Sequence, residues 1–160
     1  MSALETVRGS ELFEGLSEEQ RRRAGALGRE RRAAAGEVLF RLGEQADLFF
    51  VVGRGQVDLT FPLQVMGEKK EARFRSLEPG RTIAWSALVP PHKLTMSARA
   101  ATDVEMLAFD RREVLELFAA EPAIGLQVMS NLARVVAARF HELLALWGRE
   151  VQRNVSQSYR

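Results

Sequence analysis

The chain has 160 residues, 46% hydrophobic and 28% charged, enough for one domain with a sizeable core. Lys and Arg number 23 against 21 Asp and Glu, so the net charge is only +2, too small for the electrostatic footprint of a nucleic-acid binder. With no Cys and only two histidines, His92 and His141, disulfides, zinc–thiolate sites and iron–sulfur clusters are excluded, and no metal-ligand spacing is present.

No apolar run approaches the ~18 residues of a membrane span, and MSALETVRGSELF carries no signal-peptide pattern. A cytoplasmic protein without membrane contact is expected. The arginine runs Arg21-Arg22-Arg23, Arg31-Arg32 and Arg111-Arg112 have acidic neighbours and no interleaved aromatics, which reads as a solvated face. Ser17-Glu18-Glu19-Gln20 is a capping box opening a helix to about Leu27, with Leu12, Phe13 and Leu16 as its apolar lead-in.

From Arg29 to Phe109 short β-branched and aromatic runs alternate with turn residues. The runs are Val38–Phe40, Leu48–Val52, Gln56–Phe61, Glu71–Arg75, Leu94–Ala100 and Val104–Phe109. Gly36-Glu37, Gly43-Glu44, Gly53-Arg54-Gly55, Met66-Gly67-Glu68 and Pro79-Gly80 separate them. This punctuation predicts an antiparallel sandwich or barrel. Gly53 and Gly55 are both expected at positive φ in a hairpin.

After Phe109 the period becomes helical. Asp110-Arg111-Arg112-Glu113 opens a short helix through Ala120, and Pro122 suits the first position of a longer one. Along it Met129, Ala133, Val136, Phe140, Leu143 and Trp147 form a heptad seam, read as a dimer interface. Val128, Leu132 and Val135 form a second line that can face the barrel. Gly148 weakens the helix, so residues 1–150 are expected to form a single domain and 151–160 a flexible polar tail. No helix-turn-helix fits after the long helix, and no DNA-binding domain is expected.

One stretch, Leu77–Ala100, differs in kind. A turn at Pro79-Gly80 leads to Ile83-Ala84-Trp85, a small-residue helical turn Ser86-Ala87-Leu88, a Pro90-Pro91 break and a strand-like run. Strand, short helix and strand in so few residues can present free backbone N–H groups to an anion. His92, in the Pro-Pro loop, reads as solvated, and Arg99 as paired with Asp103 or Glu105.

The order of elements resembles the cyclic-nucleotide-binding domain of the bacterial Crp–Fnr regulators, here standalone. Matching pieces are Leu12-Phe13-Glu14-Gly15-Leu16-Ser17, Ala35 to Glu44, Leu48 to Gly55 followed by Val57, and Leu77-Glu78-Pro79-Gly80. The resemblance covers about Leu12 to Trp147. It implies a mainly β fold with flanking helices, an antiparallel jelly-roll-like barrel (a double-stranded β-helix), and a long C-terminal dimerisation helix. That family's cassette usually reads Phe-Gly-Glu-x-Ala-Leu, then Arg-Ser/Thr-Ala. In Ile83-Ala84-Trp85-Ser86-Ala87-Leu88, Trp85 stands where the glutamate grips the ribose. In Leu94-Thr95-Met96, Leu94 stands where an arginine pairs with the cyclic phosphate, while Thr95 keeps the hydroxyl position. The family's base-contacting pair falls on Arg139-Phe140. Leu cannot replace a charge-assisted arginine contact, and an indole is only a donor.

Three readings follow. In the first, a sensory module takes another small anionic or apolar ligand, lined by Ala84, Trp85, Ser86, Ala87, Leu94, Thr95 and Phe140. In the second, Trp85 fills a degenerate pocket and the domain is a dimeric scaffold, with output through a protein partner. In the third, a cyclic nucleotide binds through backbone amides and Thr95. No nucleophile–base motif supports an enzyme.

Overall fold

A computed structural model describes residues 2–158. Two N-terminal helices, α1 (Ala3–Arg8) and α2 (Glu18–Ala26), precede eight strands. These are β1 (Arg29–Ala33), β2 (Val38–Phe40), β3 (Leu48–Arg54), β4 (Val57–Val65), β5 (Glu68–Leu77), β6 (Thr82–Ile83), β7 (Ser97–Ala100) and β8 (Val104–Asp110). A 3₁₀ turn, Trp85–Leu88, follows β6, and α3 (Arg111–Ala120) and α4 (Pro122–Ser158) close the chain. The strands form two antiparallel four-stranded sheets, β1-β8-β3-β6 and β2-β7-β4-β5. This is the mainly β sandwich with flanking helices that the punctuation predicts.

Burial explains the layering. Phe49, Val51 and Val52 on β3 and Leu107 and Phe109 on β8 are fully buried, so neighbours on one strand are covered on both faces. One face meets the other sheet, and helices α1 and α3 pack on the central strands. Phe109 stacks on Phe49 at 5.0 Å between ring centroids and tilts against Phe13 at 5.3 Å. Asp110 caps α3 by accepting from the Arg112 and Glu113 amides, at 2.8 and 3.3 Å. The Ser17 capping box opens α2 as the sequence predicts.

Helix α4 is fixed at its N-terminal half. Ile124, Val128, Leu132 and Val135 are buried, and the buried Asn131 amide donates to Leu12 O at 2.8 Å and Glu14 O at 2.7 Å. That side chain ties the long helix to the Leu12–Ser17 segment.

Several expectations change. Strand β1 lies at a sheet edge with Arg29, Glu30, Arg31 and Arg32 exposed, and pairing with β8 overrides a sequence with no apolar alternation. Of Leu94–Ala100 only Ser97–Ala100 is strand; Leu94 is held by loop hydrogen bonds, its N–H to Glu44 O and its C=O from the Gly43 N–H. Gly55 takes φ 83° against Asp103 O, where a Cβ would sit 2.2 Å away, but Gly53 stays inside β3 without positive φ. Helix α4 continues through Gly148 to Ser158 instead of fraying at 149, because one glycine costs only about 1 kcal/mol in a helix. Tyr159 and Arg160 of the expected tail lie outside the described residues.

Candidate ligand pocket

Between the second sheet, the Thr82–Leu88 segment and α4 lies a cavity of about 670 Å³. Leu59 and Phe61 of β4 with Ala72, Arg73 and Phe74 of β5 make one wall, and Phe40 of β2 its base. Phe74 is the extra residue of a β-bulge, since Thr60 pairs with Arg73 and Leu59 with Arg75. The bulge breaks strict alternation, and adjacent β5 residues reach the same cavity. Val136, Arg139, Phe140, Leu143 and Leu146 of α4 form the opposite wall.

Of the residues expected to line a pocket, Ala84, Trp85, Ser86, Leu94, Thr95 and Phe140 border this cavity. Ala87 does not: it is fully buried in the core, and its amide donates to Ala84 O at 3.0 Å, which removes it as an anion donor. Ala84 adopts φ 56°, the left-handed region that favours glycine. Trp85 is half-buried and Thr95 exposed. His92 is not simply solvated: its Nδ1 lies 3.0 Å from Ala87 O, which pins the loop beneath the 3₁₀ turn. Arg99 is exposed on β7, while Asp103 accepts from the Ala35 N–H and Glu105 pairs with Arg32.

The two lines of α4 separate less cleanly than the heptad suggests. Val128, Leu132 and Val135 are buried, as expected for a line facing the barrel. In the seam, Met129, Ala133, Phe140, Leu143 and Trp147 are exposed, but Val136 is half-buried and, with Phe140 and Leu143, borders the cavity. Exposed Phe140, Leu144, Trp147 and Val151, at spacings of 4, 3 and 4, continue an apolar stripe toward the helix end.

Arg139, which the resemblance sets with Phe140 at the base-contacting pair, has contacts that sequence reasoning did not find. Its side chain is 11% exposed and borders the cavity, donating through Nη2 to Thr82 O at 3.4 Å, with Glu11 Oε1 3.7 Å away. Glu11 is already engaged, by Arg81 at 2.7 Å and by the Thr82 N–H at 2.9 Å. Burial pushes the Arg139 guanidinium below its ordinary pKa, and Glu11 opposes that shift. Thr82 is also buried, and its Oγ1 has no hydrogen-bond partner. One turn along α4, Glu142 pairs with Arg75 of β5 and ties the helix to the cavity's far wall.

The sequence model of the cyclic nucleotide-binding domain matches residues 30–121, more than half of the chain. The chain belongs to the cyclic nucleotide-binding domain family. The domain is 29% identical over 136 residues to the cyclic AMP receptor protein of Thermus thermophilus, covering 85% of this chain and 60% of that one. The crystal structure of the Thermus thermophilus catabolite activator protein superposes with a TM-score of 0.72 at 28% identity, covering 87% of this chain and 62% of that one. A stretch of 83 residues is 36% identical to a cGMP-dependent protein kinase of Caenorhabditis briggsae, covering 51% of this chain and 11% of the kinase. The chain thus spans less than two thirds of the length of these relatives.

Set beside the cassette of the Crp–Fnr resemblance, this segment differs in its side chains. Ala84 stands at the motif's glycine and holds the left-handed conformation a glycine would supply. Trp85 and Leu94 face the cavity where the Crp–Fnr resemblance sets a glutamate and an arginine.

Proposed function

We propose that this domain is a non-enzymatic regulatory module that senses a small molecule other than a cyclic nucleotide held in the usual way. The observation that carries the reading is the cavity itself. It remains about 670 Å³, inside the ~300–1,000 Å³ range of ligand pockets, although an indole occupies the glutamate position and Leu94 the arginine position. Trp85 therefore lines the space, and a filled, degenerate pocket fits the geometry less well. With Leu94 in place of the arginine that the Crp–Fnr resemblance sets there, a cyclic phosphate held in the usual way would lose its charge-assisted partner at that position.

The exposed stripe Phe140, Leu144, Trp147 and Val151 supports a homodimer formed through α4. Because Phe140 belongs both to this stripe and to the cavity, ligand occupancy and dimer geometry would be coupled through one side chain, with output through the dimer or a protein partner. None of the helices among the described residues is long and apolar enough to cross a membrane, in keeping with a cytoplasmic role.

Thermal unfolding with and without millimolar cyclic AMP and cyclic GMP tests the reading. Ligand at 100 times its dissociation constant adds about 2.7 kcal/mol of stability. No shift is expected with either nucleotide; a clear shift would overturn the proposal.

A further inference from the structure

Arg139 is the feature of the cavity that packing does not explain. A guanidinium has five N–H donors and is always charged at neutral pH. Among the described residues this one makes a single long hydrogen bond, to Thr82 O at 3.4 Å, and sits 3.7 Å from a carboxylate that two other donors already hold. Beside it, Thr82 Oγ1 is buried without a partner. The Thr82 hydroxyl is sealed from the cavity, so the guanidinium, with one long hydrogen bond and a shared carboxylate, is the group on this apolar wall that leaves room for an acceptor the protein does not supply.

From this juxtaposition of a part-exposed guanidinium and apolar walls we infer that the pocket takes an apolar carboxylate, its acid group on Arg139 and its hydrocarbon body along Phe40, Leu59, Phe74 and Trp85. The inference rests on the ligand-sensing reading above and adds the ligand's chemical class. A carboxylate matches the guanidinium fork with two parallel charge-assisted bonds. It also adds counter-charge to a guanidinium that burial disfavours and that Glu11, shared with two other donors, offsets only in part. Four charged groups surround the site: Glu11, Arg81, Arg75 and Glu142 pair largely among themselves, Glu11 with Arg81 and Arg75 with Glu142. Arg73, exposed on the β5 wall, adds positive charge there. Apart from Arg73 and the small hydroxyl residues Ser86 and Thr95, the rest of the wall is mostly hydrocarbon and aromatic, so a ligand with polar groups along most of its body would leave them unpaired.

The test is isothermal titration of the full chain with decanoate, decanol and cyclic AMP, each below its aggregation concentration, on the wild type, Arg139→Gln and Thr82→Val. Circular dichroism confirms that each variant is folded. Decanoate is expected to bind the wild type, to lose about tenfold or more in affinity with Arg139→Gln and to bind Thr82→Val, whose hydroxyl is sealed from the cavity, as it binds the wild type, while decanol is indifferent to both. Equal affinities for decanoate and decanol, or decanoate binding that survives Arg139→Gln, would overturn the carboxylate assignment. Failure of decanoate to bind would overturn it as well. The sensing reading is lost separately, when cyclic AMP binds the wild type.

Discussion

The two ends of the β sandwich use the same kinds of residue to opposite effect. At one end Phe109 stacks on Phe49 at 5.0 Å and tilts against Phe13 at 5.3 Å, and all three are at most 2% exposed. At the other, Phe40, Phe61, Phe74, Trp85 and Phe140 line about 670 Å³ of open space. Apolar material is not scarce at the open end; it is held apart by the β5 bulge at Phe74 and by α4, which Asn131 and the Arg75–Glu142 pair fix in place. A closed end supplies stability and an open end supplies a site, and substitutions should tell them apart.

The largest effect is expected from Phe109→Ala in the packed cluster, a loss of about 3–5 kcal/mol in urea unfolding, because the cavity left behind adds to the lost transfer energy. A loss under 1 kcal/mol would mean the two ends do not differ. Leu144→Glu combined with Trp147→Glu should halve the mass seen by light scattering without lowering monomer stability, since both residues are exposed and neither borders the cavity; an unchanged mass would remove α4 as the dimer seam. In the open wall, Phe61→Ala should cost only about 1 kcal/mol by the same urea assay, because that ring is already 43% exposed. The smallest change runs the other way. Thr82→Val should raise the stability of the ligand-free protein by up to about 1 kcal/mol, because it removes a buried hydroxyl that has no partner. A loss there would show that the hydroxyl serves the apo fold.

Much of the fold was legible because its signals are local. The Ser17 box, the Asp110 cap and the Met66-Gly67 turn each act through neighbours in sequence. Strand β1 was not legible, because its ladder with β8 pairs Arg29 with Ala108 across about half of the chain and its first four residues are exposed. The helix beyond Gly148 was hidden for a related reason: composition marks a weak point but not whether flanking turns carry the helix across it. The cassette residues Trp85 and Leu94 could be placed from motif order alone. The resemblance put Arg139 at a base-contacting position, but its contacts were not legible, because they are to a carbonyl and a carboxylate, of Thr82 and Glu11, far away in sequence. Ala87 was misplaced because a helical turn so short spends its amides on itself.

Trp85 offers the most direct test that the open end is a ligand site of the proposed kind. It lines the cavity, and the second indole, Trp147, can be removed as Trp147→Phe at an exposed position, leaving Trp85 as the sole fluorophore of its type. Titrated with decanoate, that variant should show a saturable blue shift in Trp85 emission, and cyclic AMP should leave the spectrum unchanged. A spectrum that ignores decanoate and moves with cyclic AMP would contradict the account.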